Sequence, residues 1–242
     1  MFSTKKRTYK QHYNEKDSFY KYSSPKFTEQ EALSENINTD ICIVGGGLTG
    51  ISAALNLADQ GYDVCILEAN QIGSGASGRN GGQLGIGMRK DQLYLENKFG
   101  FEKAEFFWNI GLDAVKNVTN LISEYNIDCA LKPGILHAGN TKKDYKYFLE
   151  EIEHMKSKYS YDNYEYFDEN SIKDEVSTDQ YYSGLLTNDS FHLNPLKLTY
   201  GLANECLNKG ISIFENSPID KIEEKDNNCL LYTSDAADEV VS

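Results

Sequence analysis

Two short apolar runs, separated by a helical stripe, stand out in the first third of the chain. Residues 41–44 and 64–67 are continuously apolar, as expected for strands that are buried on both faces of a sheet. The stripe between them follows the i, i+3, i+4, i+7 spacing of an amphipathic helix and consists of Ile51, Ala54, Leu55 and Ala58. Gly61 ends this helix, and Glu68 ends the second run. The pattern predicts a βαβ unit and therefore a parallel sheet with a right-handed crossover.

Two more apolar stripes predict helices that pack on a core. The first stripe consists of Phe107, Ile110, Ala114, Val118 and Leu121. The second consists of Tyr145, Phe148, Leu149, Ile152 and Met155. Between residues 159 and 189 the sequence is acidic and rich in tyrosine, and only a short helix after Ser171 is predicted there.

Clear helix signals return at Asn194. This residue can cap a helix whose first residue is Pro195, and Gly210 closes it. The apolar stripe of this helix is formed by Leu198, Leu202 and Cys206. Residues 211–214 then predict a strand, and residues 218–222 predict a further extended segment. With these segments we expect the chain to return to the parallel sheet.

The N-terminal residues 1–38 show no periodicity, and we expect an arm that becomes ordered only by lying on the body of the protein. No apolar run approaches the length of a membrane span. The basic N-terminus is not followed by the apolar region of a signal peptide. We therefore expect a cytoplasmic protein without a membrane span.

Composition narrows the possible functions. The 242 residues, 40% of them hydrophobic, are enough for one large domain or a domain and a half. A net charge of −13 disfavours nucleic acid as a partner and tolerates a cationic substrate. The five cysteines include no C-x-x-C pair and the four histidines lack a metal-binding spacing, so we expect buried thiols and no metal site.

A glycine-rich turn lies between the first predicted strand and helix. In the G-x-G-x-x-G pattern, Gly45 permits the tight turn, Gly47 lets the backbone approach a pyrophosphate, and Gly50 lets the helix and the strand pack closely. The helix N-terminus favours the anion. Glu68 is placed to accept hydrogen bonds from ribose hydroxyls, although taken alone it also fits a solvated strand end. The turn does not separate FAD from NAD.

A second glycine-rich segment, residues 73–83, favours FAD. Its backbone N–H groups and small hydroxyls can run beside the pyrophosphate and the ribityl chain and then reach the isoalloxazine ring. Arg79 would supply positive charge near the phosphates or the reduced flavin, and Asn80 and Gln83 can hydrogen-bond the ring edge. The alternative is a flexible surface loop, which has no use for an Arg-Asn pair between paired glycines.

These motifs resemble the D-amino-acid oxidase superfamily of FAD enzymes, most closely the branch containing gamma-glutamylputrescine oxidase. The resemblance rests on residues 40–50, 67–69 and 73–83 and continues with residues 191–197, 201–203 and 214–219. It implies an α/β fold, in which a Rossmann-like parallel sheet binds FAD and an α+β substrate domain begins. The predicted cofactor-binding residues are Gly45, Gly46, Gly47, Leu48, Thr49, Gly50, Glu68, Ala69, Gly75, Ala76, Ser77, Gly78, Arg79, Asn80, Gly81, Gly82 and Gln83 and, on the resemblance alone, Ile219, whose backbone would lie against the adenine.

The resemblance also implies a reaction, the oxidation of a C–N bond of an amine. The imine would be hydrolysed, and oxygen or another acceptor would reoxidise the flavin. Two alternatives stay open: a D-amino-acid or glycine oxidase or dehydrogenase, which needs a cation to hold the substrate carboxylate, and a non-catalytic dinucleotide-binding fragment. The catalytic residues are left unassigned, although His137, His192 and the tyrosines are possible substrate contacts.

The C-terminal end departs from the preceding pattern. From Cys229 the sequence is similar to the translation of a transposon-end adapter used in sequencing libraries. We therefore expect residues 229–242 to be a non-native tail and the native frame, with the rest of the substrate domain, to be truncated near Asn228. The predicted division is an arm (1–38), an FAD-binding βαβ unit and flavin loop (39–95), a helical and substrate-domain portion (96–190), a return to the FAD-binding domain (191–228) and the tail (229–242).

Overall fold

A computed structural model describes residues 18–225 and 228–233. The predictions for residues 1–17 of the arm and residues 234–242 of the tail lie outside these described residues. The helices are α1 (Phe19–Ser23), α2 (Leu48–Asp59), α3 (Gln92–Phe99), α4 (Phe101–Glu124), α5 (Lys142–Tyr159), α6 (Ile172–Val176) and α7 (Pro195–Asn208). The strands are β1 (Ile41–Val44), β2 (Val64–Leu67), β3 (Gln83–Leu84), β4 (Lys132–Gly139), β5 (Tyr164–Phe167), β6 (Ser183–His192), β7 (Ser212–Phe214), β8 (Ile219–Lys225) and β9 (Asn228–Thr233).

The predicted βαβ unit is present, and its sheet is parallel in the order β1-β2-β7. This arrangement confirms the α/β class. All four residues of β2 are buried. The expectation that β1 is buried on both faces is wrong, because β1 is an edge strand within the described residues and Val44 is 56% exposed.

The core of this layer forms where α2 and α7 pack on the parallel sheet. The buried residues of the cluster include Ile51, Ala54, Leu55, Ile66, Leu202, Ala203, Cys206 and Ile213. The predicted cap of α7 is confirmed, since Asn194 Oδ1 accepts hydrogen bonds from the backbone N–H groups of Leu196 (3.1 Å) and Lys197 (3.0 Å). All five cysteines are free thiols; Cys65, Cys129 and Cys206 are buried, whereas Cys42 is half-buried and Cys229 is exposed.

A second, antiparallel sheet follows the parallel one. Its central strand β6 pairs with β3, β4 and β5. The predicted short helix after Ser171 is confirmed as α6. Sequence analysis missed β5 and β6, which fall in the tyrosine-rich stretch, and it also missed α3.

The buried face of α4 differs from the predicted stripe. Ile110 and Ala114 are exposed, and the buried residues lie one position later on the helix: Ala104, Trp108, Gly111, Val115 and Ile122. A Cβ atom on Gly111 would lie 2.6 Å from the backbone nitrogen of Gly87. Gly111 therefore faces the loop at Gly87. This loop packs closer to the helix than a larger residue at position 111 would allow.

The chain returns to the parallel sheet with β7, as predicted, but the extended segment after β7 does not join that sheet, and this part of the expectation is wrong. Strand β8 instead pairs antiparallel with β9 in a separate two-stranded sheet. The non-native origin of residues 229–242 stays a prediction, and residues 228–233 form β9.

The described part of the arm lies on the body. The ring of Phe27 stacks on Tyr200 with the centroids 5.3 Å apart. Glu215 is 1% exposed, and its carboxylate accepts hydrogen bonds from the backbone N–H groups of Gln30 (2.9 Å) and Ile72 (2.6 Å). One buried carboxylate thus joins the arm to the segment that follows β2.

We expect Glu215→Gln to destabilise the fold. The substitution removes the buried charge and one of two acceptors, so at least one buried N–H group loses its partner, at a cost of about 2 kcal/mol. Urea-induced unfolding of the complete gene product measures this change. The control is Glu29→Gln, which makes the same chemical change at an exposed site in the arm. Equal unfolding midpoints for the two variants would contradict the role of Glu215.

Candidate dinucleotide-binding site and adjoining cavity

The glycine-rich turn is held by a close backbone approach. It leads directly from β1 into the first turn of α2. A Cβ atom on Gly50 would lie 2.1 Å from the carbonyl oxygen of Gly45 and 3.2 Å from Cγ2 of Ile43. Helix and strand therefore meet at a distance that only glycine allows at this position.

The second glycine-rich segment packs against the start of α2. The backbone N–H of Leu48, at the first position of the helix, donates to Ser77 Oγ at 2.9 Å. The first-turn N–H groups of a helix have no acceptor within the helix and carry its positive dipole end. The two predicted glycine-rich segments are therefore brought together at a point suited to an anion.

Glu68 braces the turn from the end of β2. Its side chain accepts hydrogen bonds from the backbone N–H groups of Gly46 (2.7 Å, to Oε2) and Asn70 (2.9 Å, to Oε1). The carboxylate is half-buried, whereas the neighbouring Ala69 is exposed. In this structure Glu68 is thus tied to the phosphate-binding turn, and it retains lone pairs for a further donor.

The flavin loop is organised by its own side chains. A 3-10 turn spans Ala76–Gly78. The amide of Asn80 accepts from the backbone N–H of Gly82 (2.8 Å) and donates to the carbonyl of Ser77 (2.9 Å), and Arg79 Nε donates to the carbonyl of Ser74 (2.7 Å). The structure therefore gives Asn80 and Arg79 a role in holding the loop, beside the cofactor contacts that the sequence predicts for them.

The segment that precedes Ile219 runs beside the end of β2. The backbone N–H of Ser217 donates to the carbonyl of Glu68 at 2.8 Å, and that of Asn216 donates to the carbonyl of Asn70 at 2.8 Å. The predicted site residues therefore come from segments that meet at the carboxyl end of the parallel sheet. This edge is where ligands bind in open α/β sheets.

A cavity of about 740 Å³ opens where the flavin loop ends, at Gln83. One wall belongs to the antiparallel sheet and includes Gln83, Ile135, His137, Tyr164, Leu185 and Thr187. The other wall belongs to helices and includes Gln92, Trp108, Phe148, Glu151, His154 and Met155. Its size is that of a small-molecule site. Sequence analysis missed this cavity, because its lining comes from elements that are distant along the chain.

The cavity wall is richer in acids than in bases. Asp91, Glu150 and Glu151 line it, with Lys90 as the only lysine or arginine among the lining residues. Burial and the charge of Asp91 raise the pKa of Glu151, against a hydrogen bond from Tyr164 that lowers it. Burial and the charges of Glu151 and Asp91 raise the pKa of Tyr147 to about 12. These shifts indicate an environment of low polarity and negative potential.

The histidines fall into two groups. His137 lines the cavity, as does His154, whose Nε2 lies 2.7 Å from Glu96 Oε1. The Tyr159 hydroxyl donates to the same oxygen at 2.7 Å. His192 is exposed and lies outside the cavity lining, as do Tyr181 and Tyr182. Of the possible substrate contacts in the sequence, the structure thus brings His137, Tyr147 and Tyr164 to the cavity.

Residues 18–225 and 228–233 contain no helix with the length and apolarity needed to cross a membrane. They also contain no cluster of three or more side chains able to ligate a metal ion.

A parallel sheet with a glycine-rich turn, a second glycine-rich loop packed against it and a cavity at the end of that loop define a dinucleotide-binding α/β fold. The chain belongs to the DAO family of FAD dependent oxidoreductases, whose pattern matches residues 40–241. The cofactor of this family is FAD.

Known proteins resemble the chain over most of its length. It is 36% identical to the gamma-glutamylputrescine oxidoreductase of Escherichia coli, over 85% of the chain and 48% of that protein. It is 32% identical to a probable oxidoreductase, OrdL, of Haemophilus influenzae, over 88% of the chain and 49% of that protein. The glycine oxidase of Geobacillus kaustophilus shares the fold with a TM-score of 0.68 at 18% identity, over 81% of the chain and 51% of that structure. The chain thus spans about half the length of the curated relatives it matches.

Proposed function

We propose that the protein oxidises a C–N bond of an amine, and that the substrate resembles gamma-glutamylputrescine. The observation that carries the proposal is the continuity of the site. The flavin loop starts against the N-terminus of α2 and ends at Gln83, at the wall of the cavity. A cofactor held along this path would reach the cavity with its reactive ring, and the cavity would hold the substrate.

The chain's residues fit FAD in their chemistry. The first-turn N–H groups of α2 after Leu48, whose own N–H donates to Ser77 Oγ, would bind the pyrophosphate, with Gly45 to Gly50 as the cradle. Glu68 would accept from the ribose, and the backbone of Ile219 would lie against the adenine. Arg79 would lie near the phosphates or the reduced ring, and Asn80 and Gln83 would hydrogen-bond its edge. The other residues of the cradle are Ala69, Gly75, Ala76, Ser77, Gly78, Gly81 and Gly82.

When bound, FAD takes up the two electrons that are released as the C–N single bond becomes a C=N bond. The residues of the cavity orient the donor carbon and exclude water. Its acidic lining and the net charge of −13 support a cationic substrate. Hydrolysis of the imine would give an aldehyde, oxygen or another acceptor would reoxidise the flavin, and the reaction would take place in the cytoplasm.

An amino-acid oxidase or dehydrogenase is the second candidate. Such an enzyme needs a cation that holds the substrate carboxylate, and Lys90 and the two lining histidines are the basic residues near the cavity. The acidic residues around them favour an amine over a carboxylate.

The complete gene product is expected to be yellow and to release hydrogen peroxide with polyamines or their glutamyl derivatives. A peroxide assay over polyamines, glutamyl derivatives, D-amino acids and glycine tests this, with a dye as electron acceptor in a parallel series. Turnover of amino acids alone would favour the second candidate. Turnover of none of them, together with the absence of a flavin absorbance spectrum, would favour a non-catalytic dinucleotide-binding protein.

A further inference from the structure

The N-terminal arm contacts the body of the protein at a segment next to the predicted cofactor site. This arm lies before residue 40, where the match to the family begins. The backbone N–H of Gln30 donates to Glu215 Oε2 at 2.9 Å, and the backbone N–H of Leu33 donates to Ser217 Oγ at 2.9 Å. Glu215 is 1% exposed and Ser217 is 2% exposed. The arm thus directs two backbone donors to two buried side chains in the segment that follows β7.

The first of these contacts leads to the phosphate-binding turn through Ile72. The other carboxylate oxygen of Glu215, Oε1, accepts a hydrogen bond from the backbone N–H of Ile72 at 2.6 Å. The Ile72 side chain packs so closely against Gly46 that a Cβ atom at Gly46 would clash with Ile72 Cδ1. Displacement of Glu215 would therefore also displace the side chain against which Gly46 packs.

The second contact leads to the same turn through Glu68. The backbone N–H of Ser217 donates to the carbonyl oxygen of Glu68 at 2.8 Å, and Glu68 Oε2 accepts from the backbone N–H of Gly46 at 2.7 Å. The Ser217 hydroxyl also donates to the carbonyl oxygen of Glu215 at 2.9 Å, which joins the two acceptors of the arm. Two series of contacts thus run from the arm to Gly46.

The arm contacts one end of the predicted site and not the other. Glu68 is predicted to bind the ribose, and Ile219, two positions after Ser217, is predicted to lie against the adenine. By contrast, none of the described arm residues, 18–38, lines the cavity at the end of the flavin loop. The arm is therefore connected to the adenosine half of the predicted FAD site and is separate from the proposed substrate end.

We propose that the arm is a positioning element for FAD, which holds Glu68 and the phosphate-binding turn in place through Glu215 and Ser217. The inference rests on the cofactor-binding residues of the proposed function and adds to them a segment outside the family match. A binding site that is already ordered in the free protein loses less affinity to the ordering of its groups. Without the two arm donors the turn has more freedom in the apoprotein, and the affinity for FAD falls.

The test removes each arm donor in the complete gene product by a substitution to proline, which has no backbone N–H. Gln30→Pro and Leu33→Pro should each lower the affinity of the apoprotein for FAD by about fivefold, the loss expected for one hydrogen bond. The affinity for ADP, which carries only the adenosine half, should fall by a similar factor. Glu31→Pro, at an exposed arm position between the two donors, is the matched control and should leave both affinities within about twofold of the wild type.

Hydrogen exchange gives a readout that needs no ligand. In the apoproteins of Gln30→Pro and Leu33→Pro we expect faster exchange in peptides that contain Gly46 than in the wild type or in Glu31→Pro. At saturating FAD the KM for the amine should stay at its wild-type value, because the arm does not line the cavity. A defect that spreads through the whole fold would change both quantities.

A double-mutant cycle between Leu33→Pro and Ser217→Ala assigns the effect to their hydrogen bond. If both substitutions act by removing this bond, the double variant loses less FAD affinity than the product of the two single losses. Ser217→Ala leaves the backbone of the arm unchanged. It therefore gives an independent measurement of FAD affinity and exchange at Gly46 if a proline variant does not fold.

The outcomes separate the role of the arm from the proposed reaction. Unchanged FAD and ADP affinity in Gln30→Pro, Leu33→Pro and Ser217→Ala would overturn the role of the arm, as would an equal loss in Glu31→Pro or independent effects in the cycle. Arm-dependent binding of FAD without oxidation of any amine would support the role of the arm and overturn the proposed reaction. A wild-type protein that binds neither FAD nor ADP would overturn both.

Discussion

Gly50→Ala is expected to weaken FAD binding strongly. The new methyl group would lie 2.1 Å from the carbonyl oxygen of Gly45, so either the start of α2 or the turn before it has to move. The first-turn N–H groups would then no longer point at the pyrophosphate. Because the atom nearest to the new methyl group belongs to the backbone of Gly45, no side-chain rotation relieves the clash. We expect the affinity for FAD to fall by about 100-fold or more, which corresponds to about 2.8 kcal/mol.

Fluorescence titration of the apoprotein of the complete gene product with FAD measures this affinity. The control is Ala58→Gly near the C-terminal end of α2, which weakens the same helix by about 1 kcal/mol without touching the turn. Equal loss of FAD in both variants would show that general destabilisation of α2, and not the geometry of the turn, is responsible. Unaltered affinity in Gly50→Ala would contradict the assignment of the turn as the pyrophosphate cradle.

Local signals were enough to predict the dinucleotide-binding half of the molecule. The strands β1 and β2 and helix α2 are short, periodic and separated by glycines whose roles follow from the backbone alone. The N-cap of α7 could also be predicted from the sequence, because Asn194 and Pro195 act within one helical turn. These features depend on residues that are neighbours along the chain.

The features that the sequence did not predict depend on contacts between residues that are distant along the chain. Strand β6 was missed because it is stabilised by partners on three other strands rather than by alternation of its own residues. The buried face of α4 was displaced by one position because the loop at Gly87 reaches Gly111, which no local pattern records. The cavity residues Asp91, Gln92 and Glu151 belong to two helices, and only the cap signal of Asp91 before α3 was available to find any of them.

The second prediction with a large expected effect concerns the open edge of the parallel sheet at β1. We expect residues 1–242, produced on their own, to bind FAD poorly and to show no oxidase activity. Within the described residues β1 pairs only with β2, and Val44, directly before the phosphate-binding turn, is 56% exposed. Parallel sheets are normally covered on both faces, and an open apolar edge promotes association with other chains.

The comparison is between residues 1–242 and the complete gene product, each loaded with FAD and separated from free flavin by gel filtration. The ratio of flavin to protein and the rate of peroxide release give the two readouts, and the elution volume reports self-association. A third polypeptide, residues 1–228, removes the predicted non-native tail and so separates its effect from that of the open edge. A yellow, stoichiometrically flavinylated preparation of residues 1–242 that oxidises amines would contradict the prediction. Such a result would mean that β1 and β2 hold the phosphate-binding turn in its binding geometry without a neighbouring strand on the outer edge of β1. It would also mean that the cavity between the antiparallel sheet and α3 to α5 is sufficient to bind the substrate.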